Sequence, residues 1–152
     1  MRKIILTLCL LASLMGFEAL AGEIEAKMPT AKIGSNVITL EVAQTLEEIQ
    51  RGLMFRTSLE KDSGMVFLFP RGYRANFWMK NTLIPLDMLF ILDGKVVKIF
   101  ENVPPAKEKD DRKIPHYPAG EGIEVSEVIE VNAGYCAKHN VKEGDTVEFS
   151  MR

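Results

Sequence analysis

The chain has 152 residues, 47% of them hydrophobic and 26% charged, with a formal net charge of −2. That length suits one domain able to bury its own core. With acidic residues slightly in excess and no block of basic ones, the composition argues against general nucleic-acid binding.

Arg2 and Lys3 precede an apolar run from Ile4 to Met15, and Ala19-Leu20-Ala21 supplies a small-x-small cleavage pattern. Residues 1–21 therefore read as an export signal. The run falls short of the ~20 residues a spanning helix needs, and Glu18 follows it, so no stable membrane span is expected after cleavage. The expected location is periplasmic or extracellular. Loss of Arg2, Lys3 and Glu18 takes the net charge to about −3. Cys9 leaves with the signal, and Cys136 then stands alone, without an intrachain disulfide. Lying between Tyr135 and Ala137 in a short helical stretch, it reads as a buried small apolar residue rather than a nucleophile.

Residues 22–36 are polar and small, a loose lead-in to a single β-rich domain over 37–152. Val37 to Ala43 alternates as a half-buried strand. Thr45 with Glu48 forms a capping box for a helix from Leu46 to about Met54, with Leu46, Ile49 and Leu53 expected on the core. Gly64 to Phe69 reads as a buried strand ended by Pro70, and Arg74 to Lys80 as another. Leu86–Leu92 and Lys95–Val103 flank Asp93-Gly94, a strong hairpin signal. Residues 104–120 are charged, proline-rich and aperiodic, the pattern of a disordered or passive loop. Ser126 to Val131 makes a further strand, Asn132 is expected to cap a short helix ending at His139, and Asn140 suits the left-handed stop. Gly144 to Phe149 is a turn into a closing strand. The expected architecture is mainly β, a compact antiparallel barrel or sandwich with two short helices.

Within "ANFWMKNTLIPLDMLFI" (Ala75 to Ile91), Asp87 shares a strand face with Leu89 and Ile91, opposite Leu86, Met88 and Phe90. An unpaired buried charge costs several kcal/mol, so a cation or several donors must face it. The cations in nearby segments are Arg51, Arg56 and Lys80. With Asn81 and Thr82 they are the donors one would gather around a carboxylate or phosphate, with Trp78 as an apolar wall. The expected site is thus Arg51, Arg56, Trp78, Lys80, Asn81, Thr82 and Asp87, binding a small anionic or polar ligand. Internal bracing of an envelope interaction module, with a protein partner, is the alternative. An envelope-acting hydrolase with Asp87 as base is the third. No metal or cofactor is expected, since His116 and His139 have no paired ligand at metal spacing. A carboxylate pair of Asp62 with Asp87 is not brought together by anything in the sequence.

The segments "RGLMFRTSL" (Arg51 to Leu59), "GMVFLF", "FWMKNTLIPLDMLFI" (Phe77 to Ile91) and "VKEGDTVEF" together resemble the domain-of-unknown-function 192 family, from about Val37 to Phe149. The resemblance implies a small, compact, β-rich protein, often exported, and no settled biochemical activity. Its signature positions fall on Arg51, Gly52, Met54, Arg56, Gly64, Met65, Trp78, Met79, Asn81, Thr82, Pro85, Asp87 and Asp145. Cys136 is outside that pattern.

Overall fold

The computed structural model describes residues 28–150. The expected export signal, 1–21, lies outside the described residues, as do residues 22–27 of the lead-in.

Nine strands and two short helices follow one another: β1 (Thr30–Ile33), β2 (Asn36–Ala43), α1 (Leu46–Arg51), β3 (Ser63–Tyr73), β4 (Asn76–Trp78), β5 (Leu86–Leu92), β6 (Lys95–Val103), β7 (His116–Pro118), β8 (Val125–Asn132), α2 (Tyr135–His139) and β9 (Val147–Ser150). Seven strands form one sheet in the order β6-β5-β8-β3-β2-β1-β9, and β4 pairs with β7 as a separate ribbon. Every pairing is antiparallel except β2 with β3, which α1 connects. The sheet curls into a half-barrel. At one end its outer strands meet, where Val147 N–H donates to the Gly94 carbonyl at 2.8 Å and Val96 N–H to that of Asp145 at 2.9 Å. The mainly β expectation is borne out.

Two apolar layers flank the sheet. One gathers Ile38, Leu40, Val66, Leu89 and Ile129 with Tyr135, Cys136 and Val141 from α2 and its exit. The other gathers Met65, Phe67, Met88, Phe90 and Val128 under residues flanking the ribbon, Ala75, Met79 and Ala119. Phe77 in β4 sets its ring edge-on to Phe67 at 4.9 Å and to Phe90 at 5.7 Å, which pins the ribbon to the sheet. The alternation expected along β5 holds, with Leu89 and Ile91 in the first layer and Leu86, Met88 and Phe90 in the second.

Several elements differ from the sequence expectation. β1 lies inside the lead-in and pairs with both β2 and β9. β3 runs on past Pro70, because the ladder shifts register between Leu68 and Tyr73 and so tolerates a residue without an N–H. The capping box at Thr45 is present, but α1 stops at Arg51, where Gly52 takes φ 46°. Leu46 is 72% exposed and does not join the core. The 104–120 segment is not a passive loop: it holds a 3-10 turn (Asp111–Lys113) and β7, and Tyr117 packs edge-on to Phe100 at 5.3 Å. α2 is capped by Gly134 rather than Asn132, whose Nδ2 instead donates to the Leu59 carbonyl at 3.0 Å. Asn140 is the expected left-handed stop, at φ 54°.

Candidate functional site

The structure does not gather the expected cations around Asp87. Asp87 is wholly buried, and its acceptors are filled by backbone: Asn102 N–H at 2.7 Å and Gly134 N–H at 3.1 Å on Oδ1, Cys136 N–H at 2.8 Å on Oδ2. Two of those donors belong to the start of α2, so Asp87 caps that helix from a neighbouring strand. Asn102, at φ 53°, is the third. A carboxylate enclosed in this way needs no cation, and with no exposed surface it cannot meet a substrate as a base. Burial, and then the nearby Asp87 charge, push the Cys136 thiol upward, which keeps that sulfur protonated.

The other expected residues separate into three places. Arg56 makes a bidentate pair with Glu41, holding that carboxylate below its usual range, beside a shallow groove with Thr39 and Ser63. Lys80 pairs with Asp111 of the 3-10 turn and lies 5.1 Å from the Trp78 ring centroid, while Trp78 stacks on His116. Asn81 stands at φ 53° and accepts the Phe55 N–H on its carbonyl at 2.8 Å. The third place is a recess of about 30 Å³ that keeps Arg51, Trp78 and Thr82 together.

That recess contains a residue that the sequence did not single out. Glu130 sits on β8, opposite Met65 on one side and Met88 on the other, so its side chain leaves the sheet into the second apolar layer. It lines the recess with Arg51, Gly52, Met54, Trp78 and Thr82, over the rings of Phe67 and Phe77. Local chain geometry opens this space. At Gly52 a Cβ would stand 3.2 Å from the Phe67 ring, and at Gly64 it would stand 2.5 Å from the Glu130 carbonyl, so both strands and the helix end approach closely only as glycine. Thr82 is fixed by its hydroxyl donating to the Lys80 carbonyl at 3.3 Å.

Glu130 is 5% exposed, and burial alone pushes its carboxyl from 4.5 up to about 8. No cation or donor among the described residues offsets that burial. At neutral pH it is therefore a carboxylic acid, a donor rather than an anion. Between pH 4.5 and about 8 the folded protein keeps a proton that the unfolded chain releases. Its stability is full at the acid end and falls as pH rises, by about 3 kcal/mol at pH 7. Arg51, at the last turn of α1, makes no ion pair among the described residues. A neutral acid and an arginine without an ion pair thus line one recess.

One further strained feature borders it. Phe55, directly after Met54, is 65% exposed at φ 64°, a conformation that costs a bulky residue about 1–2 kcal/mol. Elsewhere, His139 Nδ1 lies 2.9 Å from Asn36 Oδ1 and its Nε2 lies 3.6 Å from Asp62. Among the described residues no three of His, Cys, Asp and Glu gather as metal ligands.

The curled half-barrel with a covered sheet face and a recess at the helix end defines a class of small β domain. Its membership follows from comparison. The profile of the domain-of-unknown-function 192 family, described as "Uncharacterized ACR", matches residues 29–149, and the chain belongs to that family. The fold is similar to a crystal structure of a protein of unknown function from Novosphingobium aromaticivorans, at 40% identity and a TM-score of 0.68, covering 79% of this chain and 82% of that one. It is also similar to a protein of Sinorhizobium meliloti named as a candidate transcription regulator, at 34% identity and a TM-score of 0.64, covering 80% and 91%. No curated protein matches. Five of the family-like positions read in the sequence, Arg51, Gly52, Met54, Trp78 and Thr82, line the Glu130 recess.

Proposed function

We propose that this protein is an exported binding module whose Glu130 recess takes the carboxylate end of a small ligand. The observation that carries the reading is Glu130 itself: a buried acid, neutral at pH 7, in a recess that Arg51 also lines. A carboxylate entering the recess would accept one hydrogen bond from the Glu130 acid and a charge-assisted pair from Arg51. The recess, at about 30 Å³, is small and suits the end group of a ligand rather than its whole body. Trp78 and Phe77 supply the apolar wall.

This reading keeps Arg51, Trp78 and Thr82 of the expected site and replaces Asp87 by Glu130 as its acid. Arg56 and Lys80 are already paired elsewhere. The regulator description of the Sinorhizobium protein is not carried over, because a net charge of −2 with no basic block favours no nucleic acid. Export rests on the sequence pattern of residues 1–21.

The test is a thermal-shift and NMR titration with acetate and formate at pH 6. A ligand at a hundred times its dissociation constant stabilises the fold by ~2.7 kcal/mol. Saturable binding that is lost in Arg51→Ala and Glu130→Ala, and that fades in the parent above pH 8, supports the reading. In Glu130→Gln the amide still donates, so binding persists and its alkaline loss disappears. A flat response in the folded parent contradicts the reading and returns the search to a protein partner in the envelope.

A further inference from the structure

Two exposed apolar side chains stand where the loops that form the recess leave it. Met54 and Thr82 line the recess, and the residue after each, Phe55 and Leu83, is 65% and 53% exposed. The loops are tied to one another: Phe55 N–H donates to the Asn81 carbonyl at 2.8 Å, and Asn81 Nδ2 lies 3.9 Å from Met54 Sδ. Both Phe55 and Asn81 are left-handed, at φ 64° and 53°. Asparagine tolerates that conformation, whereas an aromatic residue does not do so readily. The chain thus holds a strained backbone that presents a ring to solvent and gains no burial from it. Such strain is characteristic of places where a ligand completes the packing.

We infer that the ligand of the recess is an amphiphile, a carboxylate carrying an unbranched apolar chain, with its head at Glu130 and Arg51 and its chain across Phe55 and Leu83. The inference rests on the reading of the recess above and adds the tail. The head assignment follows from charge complementarity, because the recess is lined both by an acid able to donate and by an arginine without an ion pair among the described residues. The acyl tail is favoured over a peptide by what the mouth offers. Neither Phe55 nor Leu83 lies in a strand, and the Asn81 carbonyl is already occupied by the Phe55 N–H, so a peptide backbone finds no edge to pair with. Saturated chain needs only apolar side chains.

The experiment is calorimetric titration of the protein at pH 6 with acetate, decanoate below its micelle-forming concentration, decanol, and a short peptide ending in leucine. Decanoate is expected to bind at least tenfold tighter than acetate, and decanol at least tenfold weaker than decanoate. Phe55→Gly relieves the left-handed strain, so it stays folded by its unfolding midpoint, and it should remove most of decanoate's advantage. Leu83→Ser should do the same in part. Equal affinity for acetate and decanoate, both lost in Arg51→Ala, overturns the tail while the recess reading stands. Decanol binding as tightly as decanoate overturns the head-and-tail assignment in favour of a plain apolar patch. A peptide that outcompetes decanoate overturns it in favour of a chain terminus. No binding of any carboxylate removes both readings together.

Discussion

Two carboxyl groups lie on neighbouring strands of the same sheet and are both buried, yet their surroundings differ. Asp87 of β5 enters the layer closed by α2 and is met by three backbone N–H groups. Glu130 of β8 leaves the opposite face, one position along the ladder, and is met by none that lowers its pKa. The first is internal architecture, a charge whose partners are fixed and whose surface is gone. The second is left with unspent hydrogen-bonding capacity at a small void that Arg51 also lines. Burial by itself does not separate an acid whose partners are fixed from one with capacity left for a ligand. The count of donors around it does.

The contrast is broken most forcefully at Asp87. Replacing it with alanine leaves three buried N–H groups without an acceptor and should lower stability by at least about 3 kcal/mol in urea unfolding. A loss under about 1 kcal/mol would mean that water replaces the carboxylate and that the bracing role is overstated. Glu130→Gln should act in the other direction and only at higher pH. Relative to the parent it should be near neutral at pH 4 and gain about 3 kcal/mol by pH 7, with the remaining gain complete above pH 8. A pH-independent difference would contradict the buried acid.

Smaller effects sharpen the border of the recess. Gly52→Ala places a Cβ 3.2 Å from the Phe67 ring at a φ of 46°, so it should cost about 1–2 kcal/mol and narrow the recess enough to weaken acetate binding. Arg56→Ala removes a partly exposed pair with Glu41, expected to cost about 0.5–1 kcal/mol with acetate affinity intact. Were acetate binding to vanish in that variant, the groove beside Arg56 would be the site and the Glu130 recess would not.

Local signals were legible in the sequence where one segment sufficed. The capping box at Thr45 and Glu48, the Asp93-Gly94 hairpin, the Asn140 stop and the burial of Asp87 all follow from residues within a few positions. The partners of the charged residues did not. Arg56 is met from β2 by Glu41 and Lys80 by Asp111, thirty-one positions on, and neither pairing has a local sign. Glu130 escaped for a related reason. Val128, Glu130 and Asn132 alternate with Glu127, Ile129 and Val131, which reads as a strand with one wet face. Only the strand order, with β5 and β3 on either side and the β4·β7 ribbon above, closes that face. Had β8 been known to be central, the burial argument applied to Asp87 would have reached Glu130 as well. The β7 strand was hidden because three residues pairing with three others leave no periodicity inside a proline-rich stretch.

The most direct measurement is a carbon-13 NMR titration of the Glu130 side-chain carboxyl in the unliganded protein, assigned by its absence in Glu130→Gln. A midpoint near pH 8 is the predicted result, with the acid neutral where the ligand binds. A midpoint at or below about 5, the range of an ordinary solvated glutamate, would make Glu130 an anion at neutral pH and contradict its proposed role as donor to a carboxylate.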